Sequence, residues 1–218
     1  MPIRHFTLAL CVMSFGLFST RGANAAPAHS ASKVVFVDAN ATPPGGIGDG
    51  TSWDSAYTSL ALALALEPGP ADFWVAEGTY KPVIFGDPRL GRFVIETDQF
   101  VFGGFAGNET ERDQRSPDHH PVILSGETSF APPADHTYNV VTIDASGSDA
   151  GLDGVTVLGG RDTRSSGADA GGIVIKGGHA ELRQVRVTDN QGASGGGLHV
   201  SGGSVTMTRV LVDRNGAI

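Results

Sequence analysis

Residues 171–218 read GGIVIKGGHAELRQVRVTDNQGASGGGLHVSGGSVTMTRVLVDRNGAI and state one pattern twice, 25 residues apart. The two copies share glycine pairs, apolar positions and an asparagine, namely Gly171-Gly172 with Gly196-Gly197, Ile175 with Val200, Leu182 with Met207, Val187 with Val212, and Asn190 with Asn215. A fixed period of this length is typical of repeat proteins, in which each unit buries its apolar face only against a neighbouring unit. The stretch therefore predicts a solenoid.

Each unit contains two alternating segments, at 173–175 and 185–187, with the single apolar position Leu182 between them. Because alternate residues of a strand share a face, one set of side chains is predicted to point inward: Ile173, Ile175, Val185 and Val187, followed one unit later by Leu198, Val200, Val210 and Val212. The opposite face is predicted to carry Val174, Lys176, Arg186 and Thr188. The fold class is thus predicted to be all-β, a coil of short parallel strands with aliphatic stacks inside.

The glycines and asparagines of the repeat are predicted to serve turns. Gly171-Gly172 and Gly177-Gly178 fall where the chain has to bend between strands, and glycine alone reaches positive φ without steric cost. Asn190 and Asn215 recur at a turn, where an asparagine tolerates the left-handed conformation and bonds to backbone groups. We predict a structural ladder of stacked amides there; the alternative is a pair of asparagines that binds a ligand.

The chain starts with a segment that reads as a secretory signal, residues 1–25. Arg4 gives a basic start, residues 7–18 form an apolar core too short for a permanent membrane anchor, and Ala23-Asn24-Ala25 is an A-x-A cleavage site. Cleavage would remove the only cysteine, Cys11, and would move the formal charge from -8 to -10. The mature chain is predicted to have no transmembrane segment. Its acidic charge predicts that it binds neither nucleic acid nor anionic lipid.

Residues 26–33 are small and polar and are predicted to be a linker. Residues 34–138 are predicted to form an N-terminal cap and the first coils, and residues 139–218 the repeats, with the loop 161–170 as an insertion. The cap is predicted to contain one helix that starts at Thr51 or Ser52, runs from Trp53 through Leu64 and stops before Pro68. Short strands are predicted at 34–37, 73–76, 93–96, 100–102, 122–124, 140–143 and 155–158.

These segments resemble a known family. The order GGI, VTDN, GGL, VDRN is similar to the GGxI and FxxN pairs of polymorphic outer-membrane protein repeats, with Val187 and Val212 in place of the phenylalanine. The entry segments VFVDANATPPGGIGDGTSWDSAYTSLALAL, FWVAEGTYKP, VFGGFAGNETERDQRSP and VILSGE resemble bacterial secreted β-helix proteins of the pectin-lyase-like superfamily. The resemblance implies a right-handed parallel β-helix that is secreted or displayed on the cell surface. It leaves the activity open, because the superfamily holds lyases, hydrolases, adhesins and plain surface proteins.

The titratable residues are predicted to form no catalytic or metal site, and no cofactor is expected. In the repeat register Asp189 falls against Arg214, so the carboxylates do not stack. A solvated acidic face, rather than a catalytic pair, is predicted for Asp153, Asp162, Asp169 and Asp189. Arg112 and Arg115 are predicted to pair locally with Glu109, Glu111 and Asp113 rather than leave them to a cation. Surface histidines, not a zinc site, are predicted at His119, His120 and His136.

The leading functional prediction is a secreted or cell-surface protein with a structural, adhesive or binding role and no catalysis in this segment. Its expected partners are surface glycans or host and cell-surface proteins. The alternative is an extracellular polysaccharide lyase or glycoside hydrolase of the same superfamily, which would use the loop 161–170. Because glycines that start another strand should follow Asn215, we also expect the chain to be the N-terminal part of a longer β-helix, truncated at its C-terminus.

Overall fold

The structure of the protein is a computed structural model that describes residues 33–82, 86–128, 136–164, 170–193 and 195–217. The predicted signal segment 1–25 and all of the predicted linker except Lys33 lie outside the described residues. Within these ranges, no helix is both long enough and apolar enough to cross a membrane.

The described residues are largely β-structure, with short strands and little helix. The strands are β1 (Lys33–Val37), β2 (Ala71–Ala76), β3 (Gly78–Tyr80), β4 (Phe93–Glu96), β5 (Gln99–Phe105), β6 (Val122–Ser125), β7 (Val141–Asp153), β8 (Val155–Leu158), β9 (Arg161–Asp162), β10 (Ile173–Arg183), β11 (Arg186–Thr188), β12 (Gln191–Gly192), β13 (Leu198–Val200), β14 (Ser204–Thr208) and β15 (Leu211–Asp213). One α-helix, α1 (Leu60–Leu66), and three 3-10 turns, Trp53–Ser55, Pro88–Leu90 and Arg112–Gln114, complete the described elements.

The strands pair in parallel and form three sheets. Sheet 1 has the order β1-β2-β5-β7-β10-β13, with β4 on β7 and β14 on β10; sheet 2 has the order β15-β11-β8-β6-β3; sheet 3 joins β12 and β9. The chain visits sheets 1, 2 and 3 in turn at β7, β8 and β9, and again at β10, β11 and β12. No sheet closes on itself. The predicted all-β class and the parallel pairing are confirmed, and the arrangement is compatible with a β-helix or solenoid.

The 25-residue period of the sequence matches the register between the last strands, because residues paired across neighbouring strands are 25 positions apart. Ile173 lies opposite Leu198, Leu182 opposite Met207, and Val187 opposite Val212. The preceding coil is longer and less regular, because β10 pairs with β7 through two irregularities on either side of Gly177-Gly178. The repeat in the sequence therefore predicts which strands are neighbours.

The structure differs from the sequence prediction around Leu182. This residue belongs to a strand segment, the second half of β10, and not to an isolated apolar position. Ala180 and Leu182 are both buried there, while Glu181 between them is only half-buried. The segment carries an alanine as its other inward residue, which is too weak a signal for a strand in a hydrophobicity pattern.

The predicted inward residues of the first repeat are buried: Ile173, Ile175, Val185 and Val187. In the second repeat Leu198 and Val210 pack partly against this core, whereas Val200 is 41% exposed and Val212 is 47% exposed. These two are exposed because β13 and β15 are the edge strands of sheets 1 and 2. On the opposite face Val174 and Thr188 are also buried, so the outward side of these strands is not fully exposed to solvent.

The single predicted helix is wrong, because two separate elements occupy its place. A 3-10 turn at Trp53–Ser55 is capped by the Ser52 hydroxyl, and α1 at Leu60–Leu66 is capped by Ser59. Between them the chain is extended, and the Tyr57 N–H donates to the Phe36 carbonyl at 2.9 Å. Pairing with β1 thus overrides the helical periodicity of this stretch. Helix α1 buries Leu60, Ala63 and Leu64 in the core next to β1 and β4.

The aromatic residues of the entry region pack together or into the main core. A second cluster on sheet 1 comprises Trp74, Phe100, Phe102 and Phe105, with Phe36 and Trp53 against it. The rings of Trp74 and Phe105 stack with their centroids 4.9 Å apart, and the Trp53 indole N–H donates to the Glu109 carbonyl at 2.9 Å. Tyr80 is buried in the main core and donates its hydroxyl to the Ala76 carbonyl at 2.9 Å.

Candidate functional site

The outer face of sheet 1 presents a row of charged residues across three neighbouring strands. Inward Phe93, Ile95, Val141 and Ile143 are buried, so the residues that alternate with them face outward. Glu96 of β4 lies opposite Asp144 of β7, and Lys176 follows Ile175, which lies opposite Ile143, on β10. Parallel pairing thus places two carboxylates and an ammonium on adjacent strands, about 4.8 Å between strand axes.

An open cleft of about 620 Å³ lies over this row. It is lined by Gly69, Arg92, Val94, Glu96, Thr97, Asp98, Thr142, Asp144, Ser146 and Lys176. A second space of about 480 Å³ shares Arg92, Val94 and Glu96 and extends along α1 past Ala61, Leu62, Leu64, Ala65 and Pro68. The two spaces form one groove, polar over the strands and apolar beside the helix. We call it the β4–β10 groove.

Local hydrogen bonds hold the polar end of the groove. The Ser146 hydroxyl donates to Asp144, and the Gly147 N–H donates to the Thr97 hydroxyl at 3.1 Å. In the described part of the chain, no ion pair joins Arg92 or Lys176 to a carboxylate. Both cations are therefore available to a ligand, beside carboxylates and hydroxyls that accept hydrogen bonds.

A mixed group lies further along the same outer face, where β7 pairs with the second half of β10. His179 is opposite Asp149, and Glu181 follows on the same strand and face. The His179 Nδ1 lies 3.1 Å from Asp149 Oδ1, and its Nε2 lies 2.8 Å from the Thr206 hydroxyl. One ligand atom from each of Asp149, His179 and Glu181 lies within 4.8 Å of the others.

The asparagines that were predicted to form a ladder, Asn190 and Asn215, lie one above the other. Asn190 Oδ1 accepts the Gly160 N–H at 2.9 Å, and Asn215 Oδ1 accepts the Asn190 N–H at 3.0 Å. The Asn190 amide nitrogen donates to the carbonyls of Val157 and Thr188, and the Asn215 amide nitrogen donates to those of Val187 and Asp213. The two side chains also bond to each other, with Asn190 Nδ2 at 3.1 Å from Asn215 Oδ1. Their polar atoms are thus used by neighbouring coils.

Three of the four candidate carboxylates of the sequence analysis lie apart in the structure, and each pairs with an arginine. Two of them, Asp153 and Asp162, are buried, against the predicted solvated face. Asp153 pairs with Arg115 at 2.7 Å, and Asp162 with Arg164 at 2.7 Å. Asp189 pairs with Arg214 at 2.6 Å, and this hydrogen-bonded guanidinium lowers the pKa of the Asp189 carboxyl. The remaining candidate, Asp169, lies outside the described residues. The predicted facing of Asp189 and Arg214 is confirmed.

In the acidic loop NETERDQR, glutamate side chains accept hydrogen bonds from nearby backbone N–H groups, and the arginines pair with carboxylates outside the loop. Burial opposes ionisation of Glu109, but N–H donors from residues 106–108 lower the pKa of its carboxyl. Glu111 forms a capping box with Gln114. The predicted local pairing is wrong: Arg112 lies 3.4 Å from Asp72, Arg115 pairs with Asp153, and both guanidinium groups lie over the Phe102 ring. The ring face attracts the cations and turns them away from the loop acids.

The candidate histidines have separate contacts. His119 Nδ1 lies 2.8 Å from the Ser116 hydroxyl, His120 Nδ1 lies 2.9 Å from Glu77, and His136 Nδ1 lies 2.7 Å from the Gly159 carbonyl. Within the described ranges, none of them belongs to a group of three ligands that could hold a metal.

The groove was missed by sequence reasoning because its residues come from separate coils of unequal length. Glu96 and Asp144 are paired in space, but no repeat in the sequence links the entry region to β7. A usable signal was the alternation itself, since Val94, Glu96 and Thr142 fall on outward positions of predicted strands, and Asp144 and Lys176 continue the same alternation one residue beyond theirs. Comparisons of the chain with protein-family models, curated proteins and solved structures found no match.

Proposed function

We propose that the chain is a right-handed parallel β-helix of the pectin-lyase-like superfamily with repeats of the polymorphic outer-membrane protein type. The ordered return of the chain to sheets 1, 2 and 3 supports a coil. Right-handedness is supported by the rule that connections between parallel strands of one sheet are right-handed in about 98% of cases. The quoted repeat and entry motifs support the family.

We propose that this β-helix is a binding module of the cell exterior, and that its β4–β10 groove binds a neutral glycan. The observation that carries the proposal is the groove itself, where Arg92 and Lys176, which form no ion pair within the described residues, lie beside Glu96, Asp98 and Asp144. A sugar hydroxyl both donates and accepts hydrogen bonds, so it matches ammonium and carboxylate groups set side by side. An anionic polymer would instead meet three carboxylates in a protein of net charge -8.

Asp144→Ala and Lys176→Ala should each weaken glycan binding by about tenfold, because each removes a charged hydrogen-bonding group at the centre of the groove. The measurement is a pull-down on insoluble cellulose, mannan, starch and xylan, followed by calorimetry with a soluble oligosaccharide of whichever polymer retains the protein. Asp118→Ala is the matched control, since it removes an exposed carboxylate outside the groove and should leave the affinity unchanged.

Two results would contradict glycan binding at this groove. The first is that none of the neutral polymers retains the protein. The second is that Asp144→Ala and Lys176→Ala bind as tightly as the unaltered chain, which would move any binding to another surface.

A polysaccharide lyase or hydrolase is the second candidate, and one observation favours it. Glu96, Asp144 and Lys176 lie in a row across β4, β7 and β10, and paired carboxylates or an amine near a sugar ring are the groups such chemistry uses. Incubation with polygalacturonate or alginate, with calcium added, tests for unsaturated products by absorbance. Products that disappear in Lys176→Ala would replace the binding proposal with catalysis.

We propose that the protein is secreted or displayed on the outer cell surface. The basic start, the apolar run and the A-x-A site of residues 1–25 support export. Protein recovered outside the cell should begin at Ala26, as read by N-terminal sequencing. Recovery from the cell interior with Met1 still present would contradict this.

A further inference from the structure

We propose that Asp149, His179 and Glu181 form a zinc site on the outer face of sheet 1. The three residues come from neighbouring parallel strands, with His179 opposite Asp149 and Glu181 two residues further along β10. Because side chains two residues apart in a strand share a face, all three project from the same side of the sheet. The inference does not rest on the glycan proposal.

The spacing of the ligand atoms suits a single ion. The imidazole nitrogen and the carboxylate oxygens lie within 4.8 Å of one another. Zinc bonds of about 2.0–2.2 Å in tetrahedral geometry place ligand atoms about 3.4 Å apart, so each side chain needs to move by about 1 Å or less. Asp149 is exposed and His179 and Glu181 are half-buried, so small rotations are available to them.

The donor set selects the class of metal. Imidazole favours zinc and similar transition metals, whereas calcium and magnesium prefer oxygen ligands alone. Three protein ligands leave a fourth position of a tetrahedral zinc ion for water or another small ligand. The chemistry of the group therefore indicates zinc.

The charge of the group also favours a cation. In the residues that the structure describes, neither Asp149 nor Glu181 forms an ion pair with a lysine or arginine, and the partner of Asp149 is His179. Asp153, two positions beyond the Gly151 that faces Glu181, is in contrast held by Arg115 and Arg183. A bound divalent ion would supply the positive charge that the arginines supply to Asp153.

Thr206 of β14 orients the histidine. Its hydroxyl lies 2.8 Å from His179 Nε2, which leaves Nδ1, the nitrogen that already faces Asp149, as the zinc ligand. A hydrogen bond to the second ring nitrogen of a ligating histidine fixes its tautomer and its ring orientation. Thr206 is thus a positioning residue for the site.

Calorimetric titration of the protein with zinc chloride tests the proposal, using protein that carries no histidine tag. We expect one strong site, about 100-fold weaker binding in His179→Gln and about tenfold weaker binding in Thr206→Val. His120→Gln is the matched control, because His120 contacts a single carboxylate, Glu77, and its loss should leave the strong site intact.

Three results would overturn the site. Zinc binding that is unchanged in His179→Gln places the ion elsewhere, and loss of the strong site in His120→Gln places it at that residue. A preference for calcium over zinc contradicts the imidazole ligand. If His179→Gln unfolds, as judged by far-UV circular dichroism, Asp149→Asn and Glu181→Gln provide the same measurement, since both keep the size of the side chain.

Discussion

Gly178→Ala should lower the free energy of unfolding by about 4 kcal/mol or more, the largest stability loss we expect from a single methyl group in this protein. Gly178 has a φ of +66°, and a β-carbon on it would overlap the backbone carbonyl of Ala145 on the neighbouring strand. Gly178 lies directly opposite Ala145 in the register of β10 and β7. Because the obstacle is backbone, the two strands have to separate. Urea unfolding followed by far-UV circular dichroism measures the loss.

Gly45→Ala is the matched control for this prediction. Gly45 has a φ of +89°, and nothing lies within 4 Å of a β-carbon placed on it. Only the conformational strain of a left-handed alanine remains there, about 1–2 kcal/mol. Equal losses in the two variants would mean that contact between β7 and β10 at Gly178 contributes nothing beyond the strain.

The glycines show where sequence reasoning is ambiguous. Gly171, Gly172, Gly177 and Gly178 were predicted to supply positive φ at bends, and of these only Gly178 does. At Gly171 and Gly172 the φ is not positive, and a β-carbon would overlap the backbone of residues 191 and 197 in the following coil. Close approach of the coils, rather than a left-handed bend, requires glycine there. One residue type answers two physical needs, and its position in the sequence does not separate them.

The sequence repeat made the strand register and the core residues of the last coils predictable. Equal spacing fixed the register of β10 with β13 and β14, and alternation identified Ile173 and Val187 as core. It also placed Asp189 beside Arg214. These features follow from local period and from stacking of equal units.

The features that were missed depend on unequal units. Asp149 and His179 are opposite each other although they are 30 residues apart, because the coil between them is longer than the 25-residue repeat. The predicted single helix is divided into a 3-10 turn and α1 because Tyr57 pairs with β1, and no local sequence pattern predicts that pairing. The two groups of residues on the outer face of sheet 1 could therefore be identified only from the structure.

Asn190→Ala should lower the free energy of unfolding by about 3 kcal/mol, because it leaves buried backbone groups without partners. The Asn190 side chain is fully buried. Its oxygen accepts the Gly160 N–H, and its nitrogen donates to the carbonyls of Val157 and Thr188 at 3.1 and 2.9 Å. An alanine satisfies none of these groups, and water does not replace the amide unless the turn opens. Urea unfolding again gives the change.

Two further variants identify the cause of this loss. Asn215→Ala, at the half-buried copy of the same position, should cost less, about 1–2 kcal/mol, since of the two carbonyls that its amide serves only that of Val187 belongs to a fully buried residue, and Asp213 is half-buried. Asn190→Asp keeps the shape and the acceptor for Gly160 but donates nothing to Val157 or Thr188, and its charge would face Asn215 Oδ1. We expect it to be at least as damaging as alanine. If Asn190→Asp were as stable as the unaltered protein, the hydrogen bonds that the Asn190 amide donates would not stabilise the turn. Packing alone would then keep the two amides stacked.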